Sequence, residues 1–150
     1  MFVGEGADKG RLMDMAQNMG LENVLFKSQQ PRERIPSYIR ASDVCLVLLK
    51  KDPVFKTVIP TNMLEFMSCG RPVILGVDGQ ARQVIEESRG GIFIEPEDTG
   101  ELEQAVIRLY KDVELCDDLG RNGRRYIVEH LSREKTSKDY MKVLRKVAST

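Results

Sequence analysis

Ile59-Pro60-Thr61-Asn62-Met63-Leu64-Glu65-Phe66-Met67-Ser68-Cys69-Gly70-Arg71-Pro72-Val73-Ile74-Leu75 reads as a loop, a short helix bearing one carboxylate, a glycine stop and a buried strand. Thr61, Asn62 and Glu65 fall within one turn of each other, so they share a face at the helix start. A helix start presents free N–H groups and partial positive charge, which suits a phosphate. A carboxylate one turn further in accepts two hydrogen bonds from a diol. Phosphate plus diol describes a nucleotide. The same spacing, Asn62-x-x-Glu65, also fits a capping box, in which the glutamate reaches back to a backbone N–H. Thr61 and Asn62 by themselves read equally as caps.

Outward from this stretch, strands and helices alternate. Asp43–Leu49 is a nearly continuous apolar run and predicts a central parallel strand covered on both faces. Lys50–Ile59 is a long loop. Toward the N-terminus, Pro31–Ala41 predicts a helix with Pro36 in its first turn, Asn23–Phe26 a strand, Asp8–Met19 a helix closed by Gly20, and Phe2-Val3 a strand ending in Gly4-Glu5-Gly6. Toward the C-terminus, Ala81–Ser88 predicts a helix and Gly91–Ile94 a strand. Asp98–Tyr110, Glu114–His130 and Arg133–Val147 predict three further helices. The alternation predicts an α/β fold: a Rossmann-like parallel sheet with helices on both faces, residues 1–150 forming one domain. In such sheets ligands bind beyond the carboxyl ends of the strands. That edge carries Gly4–Gly6, Lys27–Gln30, Leu49–Pro60, Gly76–Gln80 and Glu95–Asp98.

Gly4-Glu5-Gly6 is no dinucleotide fingerprint, because Lys9 stands where a third glycine belongs. It reads as a tight turn, or as a point of close backbone approach to a ligand. Gly70-Arg71-Pro72 reads as a helix stop and strand lead-in, and His130 as a residue at a helix end.

The 23 basic and 23 acidic residues cancel, which argues against nucleic acid as a partner. Glu95–Asp118 is acidic and Arg121–Lys146 basic. These are two solvated helical regions, or the basic segment faces an anionic membrane or another domain. Cys45, Cys69 and Cys116 have no metal-ligand spacing and His130 is the sole histidine, so neither a metal nor a cofactor is expected. Three unpatterned cysteines and no leader-like or membrane-spanning run point to a cytoplasmic location.

Five segments, in order, carry a family likeness: Phe2–Gly6, Leu21–Phe26, Ile35–Val44, Asn62–Ile74 and Gly120–Tyr126. Together they resemble the C-terminal, donor-nucleotide-binding domain of family 4 glycosyltransferases, whose GT-B fold consists of two Rossmann-like domains. The resemblance implies transfer of a sugar from a nucleoside diphosphate donor, a UDP-sugar, to an acceptor. It implies Glu65 on the donor ribose, Thr61 and Asn62 at the diphosphate, Gly4 and Gly6 against the donor, and Lys27, Gln29 and Gln30 near the nucleobase.

Two departures stand out. The family commonly has a glutamate eight positions before Glu65 that contacts the transferred sugar, and Thr57 stands there. Ile59-Pro60-Thr61-Asn62 is similar to a branch acting in bacterial surface-polysaccharide assembly, with Asn62 where lysine is usual. The family's other diphosphate-neutralising Arg and Lys lie ahead of the Gly4 turn. The resemblance therefore implies an N-terminal acceptor domain and a first strand–helix unit preceding Met1. No residue here is assigned a catalytic role, and the domain alone is expected to be inactive. The acceptor implied is a cell-surface glycan or lipid-linked intermediate, with contact to the inner face of the membrane through the full-length protein.

Two rival functions remain at this point. One is a sugar-nucleotide 2-epimerase, which needs acids and histidines around the sugar. The other is a non-enzymatic Rossmann-like interaction module with no nucleotide affinity.

Overall fold

The computed structural model describes residues 1–148. The chain divides into two compact units, Met1–Tyr38 and Ile39 onward. Every strand pairing in either unit is parallel, and strands alternate with helices along the chain, as the α/β expectation requires.

In the first unit β1 (Phe2–Val3) pairs with β2 (Phe26–Lys27), with Phe2 opposite Phe26 and Val3 opposite Lys27. The two phenylalanine rings stack with centroids 5.2 Å apart. The ladder extends past both strands, Phe2 N–H donating to the Leu25 carbonyl and Gly4 N–H to that of Lys27. The second strand thus lies later than Asn23–Phe26. Helix α1 (Lys9–Asn18) connects them, and Gly20, at φ +65°, closes it. A 3-10 turn at Arg32–Arg34 leads into α2 (Ile35–Arg40), within which the division between the units falls. Pro36 sits in the first turn of α2, where its missing N–H has no intrahelical partner to lose.

The second unit holds β3 (Cys45–Leu48), β4 (Val73–Gly76) and β5 (Gly91–Phe93) in the order β3-β4-β5. All four residues of β4 are buried, and their alternation feeds two cores. Val73 and Leu75 pack with Val47, with Met63 and Met67 of α3 (Thr61–Ser68), and with Ala81, Val84 and Ile85 of α4 (Gln80–Ser88). Ile74 points the other way, to Ile94, to Ala105 and Leu109 of α5 (Thr99–Lys111), and to Leu119 of α6 (Val113–Tyr126). Met63, Met67, Val73, Ile74 and Leu75 are fully enclosed. Each of these buried apolar side chains contributes roughly 1.5–3 kcal/mol to the unit.

The expectation that the Asp43–Leu49 strand is covered on both faces is not met. Cys45 and Val47 are buried, whereas Leu46 and Leu48 are 44% and 45% exposed. The helices α5 and α6 are centred on β4 and β5, so β3, which ends the sheet, has one face half bare. The central strand is β4.

Helix α6 closes against the turns that precede β4 and β5 through glycine. A Cβ on Gly120 would lie 2.4 Å from the Gly70 carbonyl oxygen, and one on Gly123 would lie 3.3 Å from Gly90 Cα. After Tyr126 the helix widens into a π turn, Ile127–Leu131, before Ser132 breaks it and α7 (Arg133–Ala148) begins. The basic segment read from the sequence spans the end of α6, this turn and α7. None of the described residues of α7 is buried.

Candidate functional site

The carboxyl-terminal edge of the β3-β4-β5 sheet positions the residues read from the sequence around Thr61. Helix α3 starts two residues earlier than a capping box at Asn62-x-x-Glu65 requires. Its N-cap is Pro60, which has no side-chain acceptor, so Thr61 and Asn62 occupy the first two helical positions. Their N–H groups precede the first intrahelical bond, and no side chain caps them. The next amide, Met63 N–H, is satisfied by the Pro60 carbonyl at 3.1 Å and by Asn62 Oδ1 at 2.9 Å. No acidic residue lies in the first turn to offset the positive end of the dipole.

Glu65 lies one turn on and is exposed. The register with Pro60 at the cap removes it from the capping-box position. Its carboxylate has no hydrogen bond or ion pair among the described residues. Two open amides followed by an unpaired, solvent-facing acid form the arrangement that the sequence suggested for a phosphate and a diol.

Thr57 ends a 3-10 turn, Pro53–Thr57, in the loop between β3 and α3. Asp52 caps this turn by accepting from Val54 N–H at 2.9 Å. The Thr57 hydroxyl donates to the Val54 carbonyl at 3.0 Å, leaving its oxygen lone pairs exposed. The loop is tied to the next one. Lys56 Nζ pairs with Asp78 at 2.9 Å, and Gly79, at φ +85°, lies so close that a Cβ there would sit 2.1 Å from the Lys56 carbonyl oxygen. Arg82 reaches Asp78 at 3.7 Å, Glu86 at 2.7 Å and Glu95 at 4.0 Å, and its guanidinium lies 4.1 Å over the Phe93 ring. The hydrogen bond from Lys56, and then the Gly79 N–H, hold the Asp78 carboxyl below its usual range, and Asp78 in turn raises the Lys56 ammonium. The sequence reading missed Lys56, Asp78 and Arg82. Asp78-Gly79, a turn dipeptide directly after a buried strand, was the available signal.

The first unit carries the remaining candidates at the ends of β1 and β2. Gly4 has φ +136°, which accounts for glycine there. A Cβ on Gly4 or Gly6 would meet nothing within 4 Å, so the space over this turn is open. Lys9, at the place of the absent third glycine, ties the turn down. Its Nζ donates to the Gly4 carbonyl at 3.2 Å and to Glu5 Oε1 at 2.8 Å. That bond from Lys9 is the main cause of the lowered Glu5 carboxyl. Glu5 also accepts from Gln29 N–H at 3.4 Å. Lys27 and the Gln29 side chain are exposed, but the Gln30 side chain is committed internally. It donates to the Ser28 carbonyl at 3.0 Å and accepts from the Tyr38 hydroxyl at 3.1 Å.

His130 lies in the π turn, with its ring 4.6 Å from that of Tyr126. Among the described residues, no group of His, Cys, Asp and Glu could hold a metal ion, and no helix is long and apolar enough to cross a membrane.

Known proteins share this architecture. The model of the family "Glycosyl transferases group 1" matches residues 1–126. N-acetyl-alpha-D-glucosaminyl L-malate synthase of Bacillus anthracis is 30% identical over 141 residues, covering 93% of this chain and 35% of that protein. Sucrose-phosphate synthase of Thermosynechococcus elongatus superposes with a TM-score of 0.82 at 26% identity, over 96% of this chain and 35% of the other. The Anabaena protein HepE, solved in complex with UDP-glucose, superposes with a TM-score of 0.79 at 20% identity, over 96% and 40%. The chain spans between 18% and 37% of the length of the curated relatives named by these matches. The chain belongs to the group 1 glycosyl transferases, with the GT-B type of α/β fold.

Proposed function

We propose, with that membership as premise, that this chain is the donor-nucleotide-binding domain of a glycosyltransferase that takes its sugar from a UDP-sugar. One observation carries the reading: the uncapped amides of Thr61 and Asn62 stand one helical turn ahead of the unpaired Glu65 carboxylate. The amides meet the diphosphate. As the sugar leaves, negative charge grows on the diphosphate, and fixed N–H dipoles stabilise it without reorganising. Glu65 accepts from the ribose hydroxyls and fixes the donor's position along the edge. Thr57 offers a hydroxyl where the family resemblance puts a sugar-contacting acid. In the first unit the same resemblance assigns Gly4 and Gly6 to the donor, and Lys27, Gln29 and Gln30 to the base.

The full-length protein joins this domain, residues 1–150, to an acceptor domain, and acts on a cell-surface glycan or lipid-linked acceptor in the cytoplasm at the inner membrane face. This finer reading rests on Thr57 and the Ile59–Asn62 pattern.

Calorimetry of the full-length protein with UDP, GDP and their sugars tests the donor site. UDP and UDP-sugars are expected to bind, and absence of heat for all of them overturns the proposal. Glu65→Ala is expected to weaken UDP binding by ~1.5–3 kcal/mol, the range for a hydrogen bond to a charged group, with the melting temperature unchanged. Lost stability with unchanged affinity would make Glu65 structural.

A further inference from the structure

We propose that Asp78 and Gly79 are positioning residues for the donor site, acting through Lys56 to hold the segment that delivers Thr57 and the start of α3. The inference rests on the donor-site reading above and extends it to groups that touch no donor. Four residues separate Lys56 from Thr61, and no regular structure intervenes after Thr57. Whatever fixes Lys56 therefore limits where the open amides can stand.

Two independent contacts fix it. One is electrostatic, the Lys56–Asp78 pair at 2.9 Å, with Arg82 backing Asp78 from the other side at 3.7 Å. The other is steric. Gly79 has no side chain, and only a residue without Cβ lets the Lys56 carbonyl come this near. Arg82 also reaches Glu95, so one guanidinium spans the loops that follow β4 and β5, while Asp78 binds the loop that follows β3. Three loops at this edge are thus cross-linked by side chains that are themselves partly exposed. Exposed pairs of this kind contribute little to global stability. Their effect here is local: they reduce the freedom of the twelve-residue connection from β3 to α3, whose ordering would otherwise be charged against donor binding.

The test uses the full-length protein, with UDP as the probe. Asp78→Asn and Lys56→Met are each expected to weaken UDP about threefold, and the double variant also about threefold rather than about ninefold, because the two act as one contact. Amide exchange across residues 54–61 is expected to accelerate in Asp78→Asn with the melting temperature held. Gly79→Ala is expected to give a larger affinity loss; Asp78→Asn decides the matter if that variant fails to fold. Unchanged exchange overturns the clamp. Effects that multiply in the double variant also overturn it, since Lys56 then meets the ligand directly. Unchanged UDP affinity with faster exchange overturns the positioning role and leaves the donor site standing. An unaltered protein that binds no UDP overturns the donor site and this proposal together.

Discussion

The two edges of the β3-β4-β5 sheet are built from opposite materials. At the amino-terminal edge, α6 is pressed against the turns before β4 and β5, with Gly120 on the Gly70 carbonyl and Gly123 on Gly90. Arg124 donates to the Ser68 carbonyl across the same seam. At the carboxyl-terminal edge, the helix start at Thr61 is bare, Glu65 is unpaired, and the loops are joined by exposed ion pairs. One edge has spent its backbone groups on packing. The other keeps amides and a carboxylate uncommitted. The proposed donor site therefore puts recognition at one edge and packing at the other, and substitutions should divide the same way.

The strongest challenge to that division is Gly120→Ala. The added methyl meets backbone rather than a side chain that can swing away, so a stability loss of about 3 kcal/mol is expected, at the upper end of overpacking costs. Thermal or urea unfolding measures it, and donor affinity at low temperature should be spared. Glu65→Ala is the mirror experiment, losing affinity as estimated above and keeping stability. If both variants shift both readouts, the edges are not separable. Asn62→Lys sharpens the comparison from the other side. It places an ammonium beside the open amides, and UDP should bind about 1 kcal/mol more tightly, more so at low salt. The smallest effect belongs to Cys45 at the packed edge. Burial pushes its thiol from 9.0 up to about 11. The folded state favours the neutral thiol, so this contribution is complete below pH 9 and fades as pH rises toward 11. At pH 8, an alkylating reagent should modify Cys45 more slowly than the partly exposed Cys69.

Much of this was legible before any coordinates. Val73-Ile74-Leu75 is a short, uninterrupted apolar run between a Gly-Arg-Pro lead-in and a turn, and it is the central strand. Asp98 and Gly20 mark a helix start and a helix end in the expected way. The β3 run misled, because Leu46 and Leu48 are as apolar as buried residues and composition does not say which strand ends the sheet. The start of α3 lies two residues ahead of the capping-box register because Pro60 took the cap position, and that shift takes Glu65 out of the capping-box position. Gln30 looked available as a loop amide, but its partner Tyr38 lies eight residues away and no local rule pairs them. The Lys56–Asp78 tie joins residues 22 positions apart in two different loops, and only the folded chain brings them together.

The half-bare β3 has a consequence for handling. Cys45-Leu46-Val47-Leu48-Leu49 is uncharged, rich in strand-forming side chains, and ends the order of its sheet among the described residues. Such a rim templates further backbone pairing. Concentrated samples of the isolated polypeptide should therefore self-associate by β-augmentation well below their unfolding temperature. A single gatekeeper charge, Leu46→Lys, should restore the monomer without touching the ligand edge.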